Sequence, residues 1–204
     1  TIGVNPSQEY TFIVMVMPVG DYYKGGIKPV SSIVIDGFDR AAPHGVGHVK
    51  VAGNYAADML PNTKAKNMGY PINLYLDAQT RTYVEEFGTS NFIAITNDNK
   101  YVTPDSPSIL PSITNKTLMA LAEDMGLTVE RRPVRFDEIS SFAELAACGT
   151  AVVITPVNHI IKGDEEIHVG PKDECGPTFM KLYKRVRGIQ TGELEDIFGW
   201  CTDV

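Results

Sequence analysis

The run "GHVKVAGNYA", residues 47–56, sets one long amine among glycine, valine and alanine, with a tyrosine five positions on. Two readings of Lys50 compete. A lysine in a loop of small residues is ordinarily a solvated charge. The alternative is an amine crowded so that something can dock against it, because apolar surroundings disfavour the ammonium and only the neutral amine attacks an aldehyde. The remainder of the chain decides between them.

Working outward from Lys50, the pattern is mixed. "YTFIVMVMPV", residues 10–19, has buried-strand composition, and "VSSIVID", residues 30–36, resumes it after a Gly- and Tyr-rich stretch at 20–29 that reads as a linker or loop. A helix is predicted from Gly53 or Asn54 towards Gly69, limited or kinked by Pro61. "INLYLD" (72–77), "YVEEF" (83–87) and "NFIAIT" (91–96) read as strands. A helix starting near Thr114 carries Leu118, Leu121, Ala122 and Met125 at helical spacing, and Gly126 is its C-cap. "TVERRPV" predicts a strand, "FDEISSFAELAA" a short helix, and "AVVITPV" (151–157) a central strand. "HIIKGDEEIHVG" reads as a hairpin turning at Gly163-Asp164. "PTFMKLYKRVRGIQTG" is an amphipathic helix. Strands and helices mix without strict alternation, which predicts an α+β arrangement or an irregular α/β barrel rather than a doubly wound sheet.

The bulk numbers exclude several classes. At 204 residues, 43% hydrophobic and 21% charged, the chain can sustain a core without metal or disulfide staples. Net charge is −7 and the 18 basic residues form no block, which argues against a nucleic-acid or anionic-membrane surface. No apolar run reaches the roughly 20 residues of a spanning helix, and no signal peptide is visible. Cys148, Cys175 and Cys201 show no zinc-ligand spacing, so no metal is expected, and reduced thiols suit a cytoplasmic protein.

Three further stretches could carry chemistry. In "VEEFGTSN" (84–91), adjacent glutamates on a strand point to opposite faces, so one should meet solvent and the other the interior, where a buried cation would partner it. In "ILPSITN" (109–115), a helix beginning near Thr114 would offer the amides of Ile113 and Thr114 to an anion, although Thr114 could equally be an ordinary N-cap. In "CGTAVV" (148–153), the Gly149-Thr150 turn offers a hydroxyl and two N–H groups, or is a plain turn.

The order of these stretches resembles the fold-type IV enzymes that use pyridoxal 5'-phosphate (PLP), and among them the branched-chain amino acid aminotransferases. The family's Lys-x-Gly-Gly-Asn-Tyr stands here as "KVAGNY", its Glu-Val-Gly-Thr-Met-Asn as "EFGTSN", and its Leu-Pro-Gly-Val/Ile-Thr-Arg as "LPSITN". Its Gly-Thr-Ala before a Pro-Val strand end stands as "GTAVVITPV". The resemblance implies that Lys50 bonds the cofactor and shuttles the substrate proton, and that Tyr55 hydrogen-bonds the PLP phenolate oxygen. It implies that Glu86 pairs with the ring nitrogen, leaving Glu85 outward. Ile113, Thr114 and Thr150 would hold the phosphate. The amides of Thr150 and Ala151 would take the substrate carboxylate, and Thr89 and Tyr22 would wall the side-chain pocket.

What else the resemblance implies is transamination of L-leucine, L-isoleucine or L-valine with 2-oxoglutarate, giving L-glutamate, in a homodimer. Residues 1–19 would be the last strand of a small domain otherwise absent, 20–29 the interdomain loop, and 30–204 the large PLP-binding domain. A fragment lacking the small domain's phosphate-binding arginine should have little activity alone. Ala52 and Ser112 replace family glycines, Asn115 an arginine and Ser90 a methionine. The rivals are a D-amino acid aminotransferase, an aminodeoxychorismate lyase, or a PLP-free binding module on the same domain.

Overall fold

The computed structural model describes residues 3–20 and 25–202. Ten strands and three helices follow the order β1 (Val30–Val34), α1 (Ala52–Asn67), β2 (Ile72–Leu76), β3 (Tyr83–Phe87), β4 (Ser90–Ile95), β5 (Lys100–Pro104), α2 (Ile113–Asp124), β6 (Thr128–Arg132), β7 (Val134–Arg135), β8 (Glu144–Gly149), β9 (Val153–Lys162), β10 (Glu165–His168) and α3 (Pro177–Thr191). A 3₁₀ turn, Phe136–Ser141, stands where a short helix is predicted, and Glu144 onward joins the sheet instead.

Six strands close on themselves. β4 pairs with β8, β8 with β9, β9 with β1, β1 with β2, β2 with β3, and β3 returns to β4. β5 and β6 extend the sheet from β4, β7 adds to β3, and β10 folds back on β9 in the hairpin predicted at Gly163-Asp164. The ring mixes parallel pairs (β1 with β2 and β9) and antiparallel ones, which is the irregular barrel among the expected architectures.

Alternation along β4 sorts its side chains between two cores. Phe92 and Ala94 join Val34, Leu74, Phe87 and Leu145 in one cluster. Ile93 and Ile95 face the other way, against Leu118 and Leu121 of α2 and Phe179 and Leu182 of α3. The amides that open α3 have no cap from their own segment. The buried Glu144 of β8 accepts them instead, at 2.8 Å from Thr178 N and 2.9 Å from Phe179 N.

β3 breaks the two-residue rule. Leu74 faces Phe87 and Leu76 faces Val84, so Glu85 and Glu86 together stand opposite Tyr75, an extra residue of the kind found in β-bulges. Val84 and Phe87, an odd number of residues apart, thereby enter the same core. Both glutamates are buried, at 5% and 3% exposure. The expectation of an outward Glu85 is therefore wrong. The bulge cancels strict alternation, and Glu85 accepts a hydrogen bond from Ser106 Oγ at 3.0 Å instead of reaching solvent.

Residues 3–20 form no strand, and Phe12 (91%) and Val16 (93%) are exposed. The strand predicted at 10–19 has the right composition but pairs with no strand among the described residues, and composition alone makes no ladder. Residues 21–24, which hold Tyr22 and part of the predicted loop, lie outside the described residues. No helix of the described residues is long and apolar enough to cross a membrane.

Candidate active site

Lys50 sits two residues before α1. Its approach loop is stapled by Asn54, whose Nδ2 donates to Val46 O (2.8 Å) and Val49 O (2.9 Å). One turn into the helix, Tyr55 receives the lysine: Nζ donates to Oη at 2.7 Å and lies 5.0 Å from the ring centroid. Contrary to the crowding inferred from its neighbours, Lys50 is exposed. Small side chains around it leave room instead of covering it, so desolvation does not mark this amine; its phenol partner does.

Glu86 is the buried anion of the site. Its Oε1 pairs with Arg40 Nη2 at 2.5 Å and accepts from Leu110 N at 3.1 Å, and Asn91 Nδ2 approaches Oε2 at 3.4 Å. Burial pushes its carboxyl up to about 7, against the pull of the Arg40 guanidinium, the Leu110 amide and, more weakly, Lys50. Arg40, 7% exposed, also donates to the carbonyls of Ser108 and Gly47, and its Nε has no hydrogen-bond partner among the described residues. Gly47 is required here, since a Cβ would strike the Ser108 carbonyl. Arg40, Tyr55, Glu86, Thr89, Asn91 and Leu110 line one cleft.

The predicted anion site takes shape three residues beyond Leu110. Ser112, not Thr114, caps α2, accepting from Asn115 N at 3.2 Å. The amides of Ile113 and Thr114 precede the first intrahelical bond, and the Thr114 hydroxyl is not spent as the cap. The serine that replaces a family glycine thus takes up the Asn115 amide and leaves those of Ile113 and Thr114. The asparagine that replaces a family arginine anchors the helix to the sheet: Asn115 Oδ1 accepts from Tyr101 Oη (2.7 Å) and its Nδ2 donates to Thr103 Oγ1 (3.0 Å). Thr150 and Ala151 form the exposed turn between β8 and β9. β8 lies beside β4 with Cys148 opposite Asn91, so this turn neighbours the β3–β4 turn that holds Thr89. Lys50, Ile113, Thr114, Thr150 and Ala151 stand outside the lining of the cleft itself.

Arg40, Asn54, Asn91 and Leu110 escape sequence reasoning. Arg40 lies ten residues before Lys50 in "DRAAPHG", with nothing local to mark its burial. Asn54 is inside the quoted motif, but its loop-stapling role shows only in three dimensions.

Behind the cleft, Asp58 of α1 accepts from Asn73 Nδ2 (2.9 Å) and Tyr75 Oη (2.8 Å), fixing the helix to β2. Gly88 packs onto this cluster: a Cβ there would stand 2.5 Å from Asp58 Oδ2 and 2.8 Å from Asn73 Oδ1. Gly88→Ala should therefore destabilise the chain by about 1–3 kcal/mol as an overpacked site. Chemical denaturation checks this, and an unchanged midpoint would mean that Asp58 can move aside.

One cleft thus brings together Tyr55, which holds the amine of Lys50, and a buried carboxylate held by an arginine, and α2 begins three residues beyond Leu110 of its lining. Comparisons with known proteins name the family. The family model described as Amino-transferase class IV matches residues 4–160, and the chain belongs to this family. It is 45% identical, over its whole length and 59% of the relative's, to a branched-chain-amino-acid aminotransferase of Helicobacter pylori. The solved branched-chain amino acid aminotransferase of Escherichia coli superimposes with a TM-score of 0.78 at 29% identity, covering 90% of this chain and 59% of that one. A PLP-form (holo) structure of the Thermobaculum terrenum branched-chain amino acid aminotransferase gives a TM-score of 0.70, also at 29% identity, over 81% of this chain and 52% of that one. The fold is that of the fold-type IV aminotransferases. The chain spans under two thirds of the length of the relatives it matches.

Proposed function

We propose that this chain is the PLP-binding part of an aminotransferase that moves the amino group between L-leucine, L-isoleucine or L-valine and 2-oxoglutarate. The observation that carries the reading is the 2.7 Å hydrogen bond from Lys50 Nζ to Tyr55 Oη, Tyr55 lining the same cleft as the buried, arginine-paired Glu86. Residues 30–204 would be the large domain and 20–29 a linker from a smaller one. The protein would act as a cytoplasmic homodimer, and this chain alone would have little activity.

PLP, when bound, supplies an electron sink for the bonds at the substrate Cα. Everything else falls to the chain. Lys50 Nζ would hold the cofactor, and would take the substrate Cα proton and return it. Tyr55 Oη holds Nζ in place and would give a hydrogen bond to the cofactor oxygen. Arg40 opposes the burial that raises the Glu86 carboxyl, and Glu86 would face the ring nitrogen and favour its protonated form. The amides of Ile113 and Thr114, with the hydroxyls of Thr114 and Thr150, satisfy the phosphate. The amides of Thr150 and Ala151 orient the substrate carboxylate. Thr89 lines the cleft at the side-chain end, with Tyr22 assigned there by the family resemblance.

The test is reductive trapping. The chain is mixed with PLP, reduced with borohydride and digested, and the labelled peptide is mapped. Label confined to Lys50 is the expected result. Label spread over surface lysines in a protein of the relatives' length would overturn the assignment. Comparing L-leucine with D-alanine as amino donor separates the branched-chain reading from a D-amino acid aminotransferase.

A further inference from the structure

The β9–β10 hairpin carries a cluster that the proposed transamination does not use. His159 stands directly across the antiparallel pair from His168, and Glu166 lies two residues before His168 on the same face. The two imidazoles stack with centroids 4.3 Å apart and planes 1° from parallel. His159 Nε2 is 3.3 Å from Glu166 Oε2, His168 Nε2 is 3.9 Å from the same oxygen, and one donor atom from each residue lies within 4.8 Å of the others. Despite that approach, His159 Nε2 is buried and makes no hydrogen bond among the described residues. A buried ring nitrogen in that condition is costly unless something else satisfies it.

We infer that His159, Glu166 and His168 form a surface site for a first-row transition metal ion, Zn²⁺ being the fitting member. Two imidazoles and one carboxylate are the donors that zinc prefers, and they disfavour magnesium and calcium, which seek oxygen. At bond lengths of about 2.1 Å, tetrahedral ligand atoms lie about 3.4 Å apart. The His159–Glu166 pair already has that spacing. The parallel rings hold their lone pairs in separate planes, so His168 must turn out of the stack to share an ion; His168 and Glu166, with side chains 71% and 60% exposed, have the room to do so, while His159, at 20%, is the fixed corner. The two-residue turn at Gly163-Asp164 keeps the strands in register, so the ligand frame is preset by the backbone. Three protein donors leave a fourth position for water.

The site is separate from the cleft. His159 lies six residues beyond Val153, about 20 Å along the strand from the β8–β9 turn. Bound zinc would cross-link β10 to β9 and stabilise the folded chain by mass action, with no direct effect at Lys50. The sequence hides the cluster, because the spacing from His159 to His168 matches no familiar zinc pattern until the hairpin folds it together.

Zinc binding to this chain is measured with a chromophoric chelator as competitor, in a phosphine reductant, and repeated with Co²⁺ for its visible spectrum. The expected result is one Zn²⁺ per chain at micromolar concentration, weakened at least tenfold in His168→Asn and in Glu166→Gln. The thermal midpoint should rise with zinc in the parent and not in His168→Asn. His168 is exposed, so that variant should fold, and circular dichroism verifies it. Equal binding by parent and both variants would overturn the proposal, as would no binding at micromolar zinc. A cobalt–thiolate band would assign the metal to the exposed Cys201, and loss of binding on replacing the exposed His44 and His48 would assign it there; either result also overturns it.

Discussion

Lys50→Ala is expected to abolish transamination while leaving the fold intact. A positioned acid–base group contributes roughly 10²–10⁴-fold to rate, and Lys50 is assigned a covalent role besides. The loss should therefore be at least about 10³-fold in the half-reaction with L-leucine. The rate is read on a protein of the relatives' length that contains this chain. Stability should move by no more than about 0.5 kcal/mol, because Lys50 is exposed and its one hydrogen bond is with a partly exposed phenol. The dissociation of rate from stability is the signature. A variant that keeps a tenth of the parent rate would remove Lys50 from the chemistry, and one that unfolds would mean the lysine is structural.

Arg40→Met should give the largest loss of stability. It removes the cation facing a carboxylate that is 3% exposed, and breaking a buried pair from one side costs about 3–5 kcal/mol. For a chain of this size that lowers the thermal midpoint by about 10 °C. The loss should depend on pH. The Glu86 carboxyl is held at about 7 in the fold, above its ordinary 4.5, so the folded chain binds this proton more tightly than the unfolded one. Its contribution to stability is complete below about 4.5 and disappears as pH rises through 7. Without Arg40 nothing comparable opposes the burial, and the decline continues to higher pH. Parent and variant should lie close together at pH 5 and diverge towards pH 8. An equal gap at both values would show that Arg40 acts only through its bonds to the Ser108 and Gly47 carbonyls.

Local chemistry was readable where local rules govern. Gly126 follows the Met125 cap of its helix at positive φ, one position from the cap predicted, Gly163-Asp164 turns its hairpin, and the apolar spacing of α3 faces the core as periodicity predicts. Lys50 and Tyr55 both stand out in the sequence, but the resemblance gives Tyr55 to a cofactor oxygen, and its hydrogen bond with Lys50 appears only in the fold. What could not be read depends on partners distant in sequence. Arg40 is buried only because Glu86 and Ser108 come to it, 46 and 68 positions away. Ser112 and not Thr114 is the cap because the helix begins two residues earlier than a Thr114 cap would place it. The apolar run at 10–19 shows the converse, that strand composition without a neighbouring strand yields no strand.

The extra residue in β3 ties what folding requires to what the site requires. Opposite β2, Val84 and Phe87 would meet the same partners if a single residue stood between them. The same strand must also hold register with β4 at Glu86 and Phe87 and with β7 at Tyr83 and Val84. The extra residue lets it serve three neighbours at once, with both apolar side chains in their core, Glu85 on Ser106 and Glu86 on Arg40. An irregularity in one ladder is thus a shared property of the barrel and the cleft, and a change of strand length here would be felt by both.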